Sequence, residues 1–240
     1  KGGGKVRIAL SAGHNVYNGK YFDCGSVGNG KRECDITKET VALLISMLKK
    51  QGHTVIDVTP YNEHFATKKD HHVVRCKRVD EFKADLYLDI HVNAGGGEGV
   101  EAWVHNMNSK SVPYAEKITT NIHKNIGLKN RGVKAKAGYW SVSLTSSPAV
   151  IIEGGFIDSK SDMGKLTPLN YATSIAECFG KVPTGGKEQV KDAKPSTWAN
   201  EAWGWAKTKG ITDGTNPKAS MTREEMVTML YRYDKMKGGK

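Results

Sequence analysis

No apolar run in this chain approaches the ~18–20 residues that a membrane-spanning helix needs, and no apolar leader core stands near its start. A chain that stays in water, without a membrane span, is therefore expected. Cysteine is scarce: there are 4 in 240 residues, at positions 24, 34, 76 and 178, with no C-x-x-C pair. That spacing excludes the common structural zinc motifs and a disulfide-dense scaffold, leaving free, mostly buried thiols as the expectation. Cys34 lies in a segment close to histidines, but no local motif marks it as a nucleophile. The short H-E-x-x-H zinc motif is missing, so no local pattern fixes a metal. The aromatic-basic motifs of nucleic-acid-binding modules are missing as well.

Basic residues are in excess. Lys and Arg number 36 against 25 Asp and Glu, a formal charge of +11. Residues 1–180 carry +6 and residues 181–240 carry +5, so the last quarter holds almost half of the surplus. Such a field favours an anionic partner. Nucleic acid, phospholipid or an acidic wall polymer would all satisfy it, and charge alone does not choose among them.

Over residues 5–180, strand and helix patterns alternate, which points to an α/β fold: a central twisted, mostly parallel sheet flanked by helices. Val6–Leu10 reads as the first strand, followed by a Gly-rich loop to Lys31. A helix then carries Val41, Leu44, Ile45 and Leu48 on one stripe and stops at Gly52. Further strands are expected at 54–58, 86–91, 99–105 and 149–153, and further helices at 71–83, 109–126 and 168–180. Residues 181–194 turn to Lys, Gly, Pro and acidic types and read as a linker. Residues 195–240 form a small helical module, with Trp198, Ala202, Trp205 and Ala206 on one helix face. Its second helix opens on a Thr222/Glu225 capping box and carries Met226, Met229, Leu230 and Tyr233. Its few apolar residues bury little, so it is expected to pack on another copy or on the main domain.

Three strand patterns deliver chemistry to the same sheet edge. The first runs through Gly13 into His14, the third runs into His91, and the 149–152 run ends in Glu153. In open α/β sheets ligands bind at the carboxyl ends of the strands. Two imidazoles and one carboxylate suit a catalytic zinc, which keeps three protein ligands and an open position. Glu33, where the first loop becomes the first long helix, is the attractive carboxylate ligand, and its charge complements the helix N-terminus. Glu153 is then free to act as general base. His105 competes with His91 on periodicity, and His71-His72 is a second imidazole pair. Asp89 points opposite to its strand neighbours and reads as a packing or hydrogen-bonding residue.

Residues 5–180 resemble the zinc-dependent N-acetylmuramoyl-L-alanine amidases of bacterial autolysins and phage endolysins. The matching stretches are Ile8–His14, the helix-opening Glu33, Asp89–Ala94, Gly99-Val100-Glu101, Asn130–Lys134 and Pro148–Phe156. The chain departs from the family at Ser11-Ala12, where an Asp-Pro pair is frequent, and at Ile157-Asp158. The resemblance implies one zinc ion held by His14, Glu33 and His91, with Glu153 as the catalytic carboxylate. It implies peptidoglycan as substrate, with cleavage between the lactyl group of N-acetylmuramic acid and L-alanine. It further implies action at the bacterial wall, by a secreted enzyme or by a phage lysin that is cytoplasmic until released.

The tail resembles a single S-layer-homology repeat in Trp198–Trp203, Gly210–Gly214 and Thr222–Glu225. Such repeats bind anionic secondary wall polymers, usually in threes, and the resemblance implies Arg223 as the polymer contact. Self-association through the exposed tryptophans is the other outlet for this module. The alternatives to a hydrolase are a catalytically inactive wall-binding protein and, on charge alone, a nucleic-acid binder.

Overall fold

In the computed structural model, residues 4–182, 195, 199–212 and 223–237 are described. The chain divides into two compact units, Lys1–Pro183 and Thr184–Lys240. Most of the expected 181–194 linker lies outside the described residues. So do Trp198, Asp213, Gly214 and Thr222, and the side chains of Arg223, Glu224 and Glu225.

The first unit begins with β1 (Arg7–Ala12), then β2 (Val16–Asn18), β3 (Tyr21–Asp23), β4 (Val27–Gly28) and β5 (Lys31–Arg32). The long helix α1 (Glu33–Lys50) leads to β6 (Thr54–Asp57), β7 (His64–Phe65), α2 (Lys68–Phe82) and β8 (Leu86–Asn93). Then come β9 (Val100–Val104), α3 (Val112–Ile126), β10 (Asn130–Ala135), the short α4 (Trp140–Ser143) and β11 (Ala149–Phe156). The unit closes with α5 (Lys160–Lys165) and α6 (Pro168–Ala176).

Six strands form one sheet in the order β10-β9-β11-β8-β1-β6. Four of its five pairings are parallel, and β11 runs antiparallel to β9. The expected mostly parallel sheet is thus present, with one reversal that matters for the site. Carboxyl ends of β1, β8 and β11 share an edge with the amino ends of β9 and β10.

The main core lies between one sheet face and α1, α3 and α6. Ile8, Leu10, Leu88, Ile90, Val150 and Ile152 meet Leu44, Leu48, Ile118, Ile122 and Ile175 there. Truncating one such side chain to alanine costs roughly 2–5 kcal/mol. A smaller cluster on the other face joins Ala9, Tyr87, Ala149 and Ile151 to Cys76 and Val79 of α2 and Val142 of α4.

Helix ends follow local chemistry. α1 stops at Gly52, whose φ of 89° suits a residue without a Cβ. α2 starts three residues earlier than the apolar spacing predicts, at a Thr67/Asp70 capping box. All four cysteines are free, and three are buried.

In the second unit, α7 (Asn200–Thr208) and α8 (Arg223–Met236) form a helix pair in which the Trp205 ring meets Tyr233 at 6.1 Å. No residue of α7 is buried. No helix among the described residues is long and apolar enough to cross a membrane.

Candidate functional site

His14 follows β1 at the sheet edge in a left-handed conformation, φ 61°, and Asn15 follows it at 66°. Left-handed backbone costs roughly 1–2 kcal/mol per residue outside glycine. Here the Asn15 amide offsets part of that cost by donating to the carbonyl oxygens of Gly13, at 2.8 Å, and Cys34, at 3.2 Å. The turn brings the His14 ring back toward the start of α1. Glu33 is the first residue of that helix, and the loop before it is tied down: Ser26 N donates to Glu33 Oε2 at 2.9 Å.

The Glu33 carboxylate stands between two imidazoles. Oε2 lies 3.2 Å from His14 Nε2, and Oε1 lies 3.0 Å from His91 Nδ1. Val92 N also donates to Oε1. One atom from each of His14, Glu33 and His91 falls within 4.8 Å of the others, a group that could hold a metal ion. The remaining ring nitrogens are engaged from behind. Asp23 Oδ1 lies 2.8 Å from His14 Nδ1, and Asp89 Oδ2 lies 3.3 Å from His91 Nε2. Carboxylates placed behind histidines in this way fix the tautomer and aim of metal ligands.

Asp89 is itself wholly buried and held by Ser11, by Ser141 Oγ at 2.5 Å and by Arg75 Nη1 at 3.4 Å. Arg75 is also wholly buried, and its Nη2 donates to the His14 carbonyl at 2.5 Å. Two glycines keep the cluster open. A Cβ on Gly13 would collide with the His91 ring, and one on Gly25 with His14 and the Glu33 carboxylate.

Electrostatics follow from this packing. Burial disfavours charge on Glu33, yet the hydrogen bonds from His14 and His91 prevail and hold its carboxyl well below the usual range. Burial likewise opposes charge on His91, but Asp89 and Glu33 raise it well above an ordinary imidazole. Asp23 is held down at about 2, its own burial being outweighed by His14.

Glu153 pairs with His91 across the parallel β8–β11 ladder and with Glu101 across the antiparallel β11–β9 ladder. Its carboxyl is pushed up to about 7, first by burial and then by the negative charges of Glu33 and Glu101, against the opposing pull of His91. Its Oε2 is buried with no hydrogen-bond partner among the described residues. It lines a cavity of about 340 Å³ with His72, Asp89, His91, Tyr139 and Trp140.

His14, Glu33 and His91 are therefore brought together, with Glu153 beside them. His105 is not among them: it is exposed and bonds to Ser143 Oγ. The His71 and His72 rings lie 4.1 Å apart on α2, tilted by 37°, and His72 bonds to Ser141 Oγ. Asp23 and Arg75 escaped the sequence reading. A carboxylate in a Gly-rich loop and a cation on an amphipathic helix both look like solvated surface groups. Tyr171 escaped it too: its hydroxyl donates to the His91 and Ile152 carbonyls, both at 3.0 Å, and Gly154 leaves room for its ring.

Residues 8–181 match the sequence pattern of the N-acetylmuramoyl-L-alanine amidase family. The chain belongs to that family. Among curated relatives, the endolysin of Bacillus phage SPP1 is 30% identical over an alignment 246 positions long, gaps included, that covers 96% of this chain and 84% of that protein. The sporulation-specific N-acetylmuramoyl-L-alanine amidase of Bacillus subtilis (strain 168) is 28% identical over 71% of this chain. That match spans 64% of the relative's length, so the relative is considerably longer than the shared amidase region. Among solved structures, the catalytic domain of the CD27L endolysin targeting Clostridia difficile superposes with a TM-score of 0.65 at 26% identity. It covers 72% of this chain and 96% of that one. The amidase AmiC2 of Nostoc punctiforme shares the fold at 21% identity and a TM-score of 0.61, over 74% of this chain and 97% of that one.

Proposed function

We propose that this chain hydrolyses the amide joining the lactyl group of N-acetylmuramic acid to the L-alanine of the peptidoglycan stem peptide, using one zinc ion held by His14, Glu33 and His91. The observation that carries the reading is the three-donor cluster at the sheet edge where β1, β8 and β11 end, with a Glu153 carboxylate oxygen beside it that has no hydrogen-bond partner among the described residues. The residues fit the metal. Two imidazole nitrogens and a carboxylate form a standard catalytic zinc set, and the Gly13 and Gly25 positions leave the space beside them free of side chains.

Zinc, when bound, supplies a Lewis acid that polarises the scissile carbonyl and brings the pKa of a water toward ~7. The rest falls to the protein. Asp23 and Asp89 keep the two rings aimed, and Arg75 anchors Asp89 and the His14 backbone. Glu153 accepts a proton from the attacking water, whose oxygen bonds to the carbonyl carbon. As the C–N bond breaks, Glu153 gives that proton to the departing alanine nitrogen. A carboxyl poised near neutrality suits both halves of this exchange.

Residues 5–180 form the catalytic domain in this reading, residues 181–194 the linker, and residues 195–240 an S-layer-homology-like module. That module binds an anionic wall polymer or a second copy of the chain. The enzyme acts at the bacterial wall, as a secreted autolysin or a phage lysin released from the cytoplasm. The His14, Glu33 and His91 group with the Glu153 carboxylate nearby supports a hydrolase over an inactive wall-binding protein. The test is release of new amino groups from purified cell walls. Zinc-loaded chain should release them and chelator should abolish the release; release that persists in chelator would contradict the metal assignment.

A further inference from the structure

Glu101 is a buried carboxylate outside the catalytic group. Its side chain is 4% exposed, and every acceptor position is engaged. Oε1 accepts from Asn93 Nδ2 at 3.2 Å and from Trp103 Nε1 at 3.1 Å. Oε2 accepts from Arg131 Nε and Lys134 Nζ, both at 2.6 Å. Two cations thus share one anion, and among the described residues neither has another acidic partner. The group carries one surplus positive charge, and its cations are the accessible part, at 31% exposure for the Arg131 side chain and 35% for Lys134.

The reversal at β11–β9 sets this group next to the chemistry. Glu101 pairs directly with Glu153, and Lys134 pairs with Trp103 on β9. The Trp103 ring lies under the Lys134 ammonium at 5.1 Å and touches the Tyr139 ring at 5.2 Å. Tyr139 in turn lines the cavity that holds Glu153. On the other side, the Arg131 guanidinium lies over the Phe156 ring at 5.0 Å. Both cations are held against an aromatic ring and by Glu101, and Arg131 Nη1 also donates to the Glu98 carbonyl at 3.4 Å, so little freedom is left for them to lose on binding an anion.

We propose that Arg131 and Lys134 form an anion subsite beside the scissile amide that binds a free carboxylate on the stem peptide. The inference rests on the amidase reading and names what that site selects. Glu101 is the positioning residue that holds the pair in place and trims its charge to a single surplus unit. An uncharged amide in place of the carboxylate forfeits the charge-assisted bonds and binds less tightly.

The test uses two N-acetylmuramoyl dipeptides, L-alanine followed by a D-glutamate whose α-carboxyl is either free or amidated, with the zinc-loaded full chain. The free acid should be preferred by roughly tenfold in kcat/KM, chiefly through KM. Lys134→Gln should bring that ratio close to one, Lys134→Arg should restore it, and Glu101→Gln, which releases both cations from their shared anchor, should lower it. Because the readout is a ratio, a uniform loss of activity or of folded protein cancels. Calorimetric titration of the zinc-loaded chain with the two released dipeptides should show the same order of affinity. Equal cleavage of both substrates by the parent chain would overturn the subsite and leave the amidase reading standing. So would a Lys134→Gln variant that slows both substrates by the same factor. Cleavage of neither substrate would remove the amidase reading and the subsite with it.

Discussion

Glu153 stands directly opposite His91 in the parallel β8–β11 pairing, with one carboxylate oxygen buried and unpartnered. A buried acceptor with no donor is unfavourable unless function supplies a partner. Here the natural partner is the water consumed in hydrolysis. Glu153→Ala is expected to retain zinc and to lose turnover by roughly 10²–10⁴-fold, the usual worth of a general acid–base group. Metal content by elemental analysis, beside the wall-lysis rate, checks both halves. Loss of zinc from this variant would reassign Glu153 as a ligand.

Glu33 has the opposite signature. It contacts both imidazoles and sits between them. Glu33→Ala should lose zinc and activity together. Thermal unfolding gives an independent reading. The parent chain should gain stability with zinc, by about 2.7 kcal/mol at a hundredfold excess over Kd, and Glu33→Ala should gain almost none.

Asp23 and Asp89 should matter through the rings they aim. Asp23→Asn keeps the size of the side chain but weakens its hold on His14 Nδ1. Zinc affinity should fall about 10–100-fold, measured by competition with a chromogenic chelator. Unchanged affinity would show that the His14 ring needs no such support.

A pH effect follows from burial of Glu153. In the metal-free chain its carboxyl is held at about 7 rather than the ordinary 4.5. Between those values the folded chain keeps a proton that the unfolded chain has released, so stability falls as pH rises through this window. Below 4.5 both states are protonated and the penalty vanishes. Glu153→Gln should therefore be more stable than the parent above pH 7, by on the order of 3 kcal/mol, and similar to it near pH 4. Thermal unfolding in chelator at both pH values checks this, and a difference independent of pH would contradict it.

The glycine positions give a steric test. Gly13→Ala places a Cβ where the His91 ring lies. The ring must move, and zinc affinity should drop with it while the sheet persists. Metal titration and far-ultraviolet circular dichroism on the same sample separate the two effects.

Much of the fold is legible in the sequence where apolar runs are long and buried. β1, β8 and β11 carry Ile8, Leu10, Leu88, Ile90, Val150 and Ile152, all fully buried, and such runs announce central strands. β10 left no such trace, because an edge strand with residues as polar as Asn130, Arg131 and Lys134 needs no apolar pattern. The hairpins within the loop before α1 are two or three residues per strand, too short to show a period. His14, Glu33, His91 and Glu153 stood out because each ends or begins an element of the expected pattern, although β8 and β11 run on past His91 and Glu153 to Asn93 and Phe156. Asp23 and Arg75 act through contacts with residues far along the chain or across a turn, which spacing alone does not encode.

The central claim concerns which bond is cut. Mass spectrometry of purified peptidoglycan digested by the zinc-loaded chain addresses it most directly. The account predicts free stem peptides that begin with an L-alanine amino group, beside glycan strands whose muramic lactyl groups carry free carboxyls. Peptides cut between two amino acids, or shortened glycans still bearing their stems, would contradict it.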